Sequence, residues 1–80
     1  MTDLTEQAAR YLILIEGGPP SNYSAWSPEL RGCVATGDTL DDVEREMRSA
    51  IAFHVEGLKR DGERTPEPSG PGVVYVARSA

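Results

Sequence analysis

Four acids crowd one short stretch of the chain: Asp38, Asp41, Asp42 and Glu44. Carboxylates at that density can hold Mg²⁺, as nuclease sites do. A helix start draws the same residues for another reason. Asp38 or Thr39 can serve as N-cap, and Asp42 stands three residues after Thr39 in a Thr-x-x-Asp capping box. Acids there also complement the helix dipole. A two-metal centre needs carboxylates converging from separate elements, and only Glu16 offers one from a strand. Capping therefore accounts for the acids, and no metal or other cofactor is expected. His54 falls on an apolar helical stripe with no second ligand at metal spacing, which reads as a structural histidine. Cys33 has no activating base nearby in sequence and reads as a small strand residue. The glycines are scattered at turns rather than gathered in a phosphate-binding loop. Catalysis is not expected.

Aromatic residues offer a second chemistry. Tyr11, Tyr23, Trp26 and Tyr75 all fall on predicted strands, where rings can stack nucleotide bases. They lack interleaved Lys or Arg, so packing or a protein contact is the better account. Phe53 differs. At 100° per residue it lies opposite the apolar stripe of its helix, among Glu46, Ser49 and Glu56. An aromatic side chain in that position can anchor an interface.

The elements that carry these residues follow from periodicity and punctuation. Tyr11 to Ile15 is apolar at both parities, which predicts a strand covered on both faces, ended by a Gly/Pro-rich loop. Tyr23 to Ser27 is a second strand, with Tyr23 and Ala25 on one face and Ser24 and Trp26 on the other. Pro28 and Gly32 bracket a reversal into a third strand, about Cys33 to Thr36, which Gly37 ends. Leu40, Val43, Met47, Ile51, His54 and Leu58 recur every three or four residues and predict one helix from about Leu40 to Asp61. Ala50 and Val55 flank that stripe, and Gly62 is the C′ residue. A Pro/Gly-rich linker over residues 63–72 leads to a last strand, Val73 to Ala77. The order β-β-β-α-β predicts a single α+β domain over residues 1–80. Residues 1–9 are a lead-in, and one long helix packs on one face of an antiparallel sheet.

Composition narrows the function. The chain has 80 residues, a net charge of −5 and a sequence pI near 4.7. An acidic surface is a poor match for a phosphate backbone and a good one for a basic protein. The single cysteine cannot form an internal disulfide. The first ten residues hold no apolar core of a signal peptide, and no apolar run is long enough to span a bilayer. A cytoplasmic protein with no membrane contact is expected.

The run Pro28-Glu29-Leu30-Arg31-Gly32-Cys33-Val34-Ala35-Thr36-Gly37-Asp38-Thr39-Leu40-Asp41-Asp42-Val43 resembles the Pro-Asp-Leu-Pro-Gly-Cys … Gly-Asp-Thr … Glu signature of HicB-like antitoxins. The upstream strand ending in Glu16, the run Tyr23-Ser24-Ala25-Trp26, and Ala50-Ile51-Ala52-Phe53-His54 before Gly62 extend the likeness to roughly residues 10–77. The resemblance implies a partial ribonuclease-H-like fold lacking that enzyme's carboxylate set. It also implies a partner, a HicA-type toxin, which is a small basic ribonuclease whose RNA-binding and active surface the antitoxin masks. Many members carry a further C-terminal DNA-binding domain. This chain ends after its last strand, so no direct DNA binding is expected of it. The alternative is an orphan interaction module with no cognate toxin, and a metal-dependent nuclease ranks a distant third.

Phe53, Glu16, Tyr23, Trp26, Glu46 and Glu56 are the residues expected to face a partner. Pro28, Gly32, Gly37, Asp38, Thr39, Asp42 and Gly62 are expected to shape the turn, the helix start and the helix end. One helix can shield only one face of a four-stranded sheet. A homodimer or higher oligomer, formed through the uncovered face or a sheet edge, is therefore expected.

Overall fold

The structure, a computed structural model, describes residues 10–19, 21–68, 70 and 72–76. The expected lead-in over residues 1–9 lies outside them, as does Ala77. Four strands, β1 (Leu12–Gly17), β2 (Tyr23–Ser27), β3 (Leu30–Gly37) and β4 (Gly72–Tyr75), form one sheet, with a single helix α1 (Leu40–Arg60) between β3 and β4. The spatial order is β3-β2-β1-β4. The first three strands form the expected antiparallel meander. The sheet is mixed rather than antiparallel throughout, because β4 pairs parallel to β1. The physical reason is the connection. Parallel strands require a long crossover, and α1 with the segment after it supplies one.

The β2–β3 reversal is tighter than the sequence suggests. Ser27 pairs with Leu30 across a two-residue loop of Pro28 and Glu29, so β3 begins at Leu30, not Cys33. The register then jumps to Trp26 opposite Val34. Arg31, Gly32 and Cys33 make up the resulting bulge, and Gly32 takes a left-handed φ of +78° there.

Helix α1 begins as capping chemistry predicts. The Asp42 backbone N–H donates to Thr39 Oγ1 at 3.0 Å, and Thr39 is the N-cap. The Asp42 carboxylate accepts from Arg45 rather than completing the reciprocal half of a capping box. The capping side chain is therefore Thr39, and Thr39→Ala should cost about 0.5–2 kcal/mol. Asp42→Ala, which removes only an exposed ion pair, should cost less than about 1 kcal/mol. Urea denaturation of the two variants checks the order. At the other end, Gly62 N–H donates to the Lys59 carbonyl and Glu63 N–H to the Leu58 carbonyl, closing a Schellman motif with Gly62 at φ +73°.

The core lies between α1 and one sheet face. Tyr11, Ile13, Ile15, Ala25, Leu30 and Cys33 meet Val43, Met47, Ile51 and Val55 there. Two features of the expected stripe are corrected. Val55 is buried at its centre, while Leu40 is exposed and His54 only half-buried. A strict four-residue step from Val43 to Val55 drifts around the helix by about 40° per repeat, toward Val55 and away from Leu40 and His54. The first strand is likewise covered on one face only: Tyr11, Ile13 and Ile15 are buried, and Leu12 and Leu14 only partly.

The segment after the helix is pinned rather than merely draped. Tyr11 Oη donates to the Pro66 carbonyl at 2.6 Å. Arg10, Tyr11, Val55, Lys59 and Pro66 line one cleft there, so this return segment closes over the C-terminal half of α1. Burial, with Glu29 and Glu67 nearby, raises the Tyr11 pKa, so its hydroxyl stays protonated as the donor.

Candidate partner-binding surface

Among the described residues two surfaces remain open, and each is built by a simple periodicity. On α1, Val43, Met47, Ile51 and Val55 turn inward, which directs residues near Phe53 away from the sheet. Phe53 is 75% exposed, the most exposed of the large apolar side chains. Glu46 lies two turns before it and Glu56 one turn after it on the same outer face. Glu56 pairs with Arg60 at 3.3 Å, Asp42 with Arg45 at 3.0 Å, and Glu44 with Arg48 at 2.8 Å. Among the described residues Glu46 makes no ion pair, and neither do Asp38, Asp41 or Asp61. Most of the helix cations are therefore locally neutralised, and an aromatic side chain stands in a surface of net negative sign.

The second surface is the sheet face away from α1. Register places Val34, Trp26, Leu14 and Val74 in one row across all four strands, with Leu12 beside Leu14. The next row holds Thr36, Ser24 and Glu16. Half of this pattern was hidden in the sequence, since only the strand order brings Val34 and Val74 into line with Trp26.

The six residues expected to face a partner thus separate. Phe53, Glu46 and Glu56 share the helix surface, and Glu16 and Trp26 share the open sheet face. Tyr23 belongs to neither. It points to the helix side of the sheet, half-buried, with its ring edge-on to Tyr75 at 6.3 Å. Sequence reasoning missed Val34 and Val74. Val34 follows the buried Cys33, but β4 is exposed along its whole length, so only its pairing with Leu14 places Val74 in the row.

Of the four acids at the helix start, Asp38 precedes the Thr39 cap and Asp41, Asp42 and Glu44 lie in the first turns of α1. Among the described residues, no three His, Cys, Asp or Glu side chains gather as a metal-ion group. Cys33 is buried, and burial raises its pKa, which keeps it a poor nucleophile. Among the described residues no helix is long and apolar enough to cross a membrane.

Residues 11–75, which hold all four strands and the helix, match the HicB-like antitoxin family of bacterial toxin–antitoxin systems. The chain belongs to the HicB-like antitoxin family. A UPF0150 protein of Synechocystis is 30% identical over 67 residues, covering 84% of this chain and 85% of the relative. A 14.9 kDa protein from the rep-hol intergenic region of Haemophilus phage HP1 is 39% identical over 54 residues. That match covers 68% of this HicB-like chain and 40% of the phage protein, so the chain spans less than half of that relative's length. No solved structure matches. Membership supports an antitoxin role.

Proposed function

We propose that this chain binds and neutralises a small basic ribonuclease toxin of the HicA type by masking its RNA-binding and active surface. The family match over residues 11–75 carries this reading, since it embraces every element of the fold. The helix surface supports it further. A toxin that grips RNA must present cations, and a net −5 partner with Glu46 and Glu56 around an exposed Phe53 attracts that kind of surface. Phe53 is the anchor, and the acids set orientation and encounter rate. The chain acts in the cytoplasm, without direct contact to DNA or membrane, and works as a homodimer or higher oligomer.

The test is binding between the purified chain and the basic protein encoded beside it, read together with RNA cleavage by that protein. The chain is expected to bind and to stop cleavage. Phe53→Ala should weaken binding by about 30-fold, the equivalent of ~2 kcal/mol for an interface anchor. Glu46→Lys with Glu56→Lys should slow association and flatten its salt dependence. Absence of any such neighbour, or cleavage unaffected by excess chain, overturns neutralisation in favour of an orphan interaction module.

A further inference from the structure

Among the described residues, strand β4 is the least covered of the four strands. Among the described residues, α1 rests mainly on β3, less on β2 and only slightly on β1, so its cover thins toward β4. Val73, Val74, Tyr75 and Val76 are 40%, 45%, 50% and 37% exposed, four of the seven exposed large apolar residues among those described. Among the described residues the outer edge of β4 is open as well, because β4 pairs only with β1. Tyr75 does not shield that edge. Its side chain turns inward over β1, where its hydroxyl donates to the Gly17 carbonyl.

The opposite edge of the sheet is built differently. β3 carries the three-residue bulge at Arg31, Gly32 and Cys33, with Arg31 exposed, and bulges and charges both discourage pairing with another strand. β4 has neither safeguard. Its run Gly72-Val73-Val74-Tyr75-Val76 contains no charged residue and no proline.

The geometry points to β4 as the seam of a symmetric dimer, in which two copies of the chain pair antiparallel about Val74. Hydrogen-bond parity fixes this register. Val76 N–H donates to the Ile15 carbonyl, so Val76 and Val74 direct their backbone groups toward β1, and Val73 and Tyr75 direct theirs outward. An antiparallel seam centred on Val74 pairs Val73 of each copy with Tyr75 of the other. All four outward groups of each copy's β4 are then satisfied within Val73–Tyr75. Other registers of the same parity would reach past the strand ends.

Charge selects the occupant. Two copies each carrying −5 repel wherever their acids face, and this edge is the uncharged stretch where they can approach. A basic partner gains nothing electrostatic from β4 and is drawn instead to the helix acids. The two surfaces therefore divide the work, one for the copy and one for the toxin. This inference rests on the oligomeric antitoxin reading and names its interface.

Sedimentation equilibrium of the full chain decides it, with two variants. The wild type is expected at twice the 8.7 kDa chain mass. Val73→Pro removes an outward N–H while sparing the β1–β4 ladder, so it should sediment at 8.7 kDa with unchanged circular dichroism. Val34→Lys, on the open face, should stay dimeric. In the unaltered chain, the Val73 and Tyr75 amides should exchange slowly in concentrated samples and quickly on dilution. A wild-type monomer, amides that exchange quickly at every concentration, or a dimer dissolved by Val34→Lys and not by Val73→Pro would overturn the seam. Toxin capture is scored separately. A monomeric chain that still captures the basic protein defeats the seam and leaves the antitoxin reading standing; a β4-paired dimer that captures none does the reverse.

Discussion

Gly37→Ala is expected to unfold a large share of the protein, although it adds one methyl group. A Cβ at that position would stand 2.6 Å from the Val43 nitrogen, 2.9 Å from its Cα and 3.0 Å from the Asp42 carbonyl carbon. These are backbone atoms, so no rotamer change relieves the overlap. Val43 N–H also makes the 3.0 Å bond to the Thr39 carbonyl that opens the helix. To accept the methyl, α1 must lift from β3 just where Val43 and Met47 are fully buried. Overpacking of this kind typically costs about 1–3 kcal/mol, and a clash with rigid backbone belongs at or above the top of that range. An 80-residue domain has roughly 4–12 kcal/mol in all, taking ~0.05–0.15 per residue. Gly57→Ala is the control. Nothing lies within 4 Å of its Cβ position, and alanine should gain about 0.5–1 kcal/mol in the helix. Urea titrations that place Gly37→Ala within 0.5 kcal/mol of the parent would mean that the strand–helix junction yields easily.

Ile51→Ala should be nearly as damaging by the opposite route. Ile51 is fully buried between Met47 and Val55 on the inward stripe of α1, and truncation leaves a cavity. Losses of about 2–5 kcal/mol are usual for such changes. Two residues on, Phe53→Ala should leave the unfolding midpoint almost unmoved, because that ring is 75% exposed. The pair separates folding from recognition along half a turn of helix. Equal midpoint shifts in the two variants would show that Phe53 packs within the chain and is not available to a partner.

Much of this architecture was legible in the chain. The turn at Pro28, the Thr39 cap, the long helix and the Gly62 stop each rest on a local rule that tertiary structure did not override. What escaped depends on register and on strands far apart in sequence. The parallel sense of β4 has no local signature, because Val73 to Tyr75 would read the same in either direction. The burial of Val55 came from a four-residue step that a three-and-four pattern blurs. The apolar row of Val34, Trp26, Leu14 and Val74 exists only after three separate pairings are set. That Tyr23 lies on the helix side of the sheet beside Tyr75 was likewise not legible, because an aromatic on a strand carries no label for its face.

The partnership of β1 with β4 also has a consequence in time. Leu12–Ile15 and Gly72–Tyr75 are some sixty residues apart, and the hairpins and helix between them are built from near neighbours. Ladders that close such long loops form late, and strands with few buried contacts open early. β4 is therefore the last piece to arrive during folding and the first to leave. A protease would find its opening there, cleaving in proportion to how often the strand is free. Anything that occupies β4 slows that loss, so the half-life of the chain becomes a function of the company it keeps.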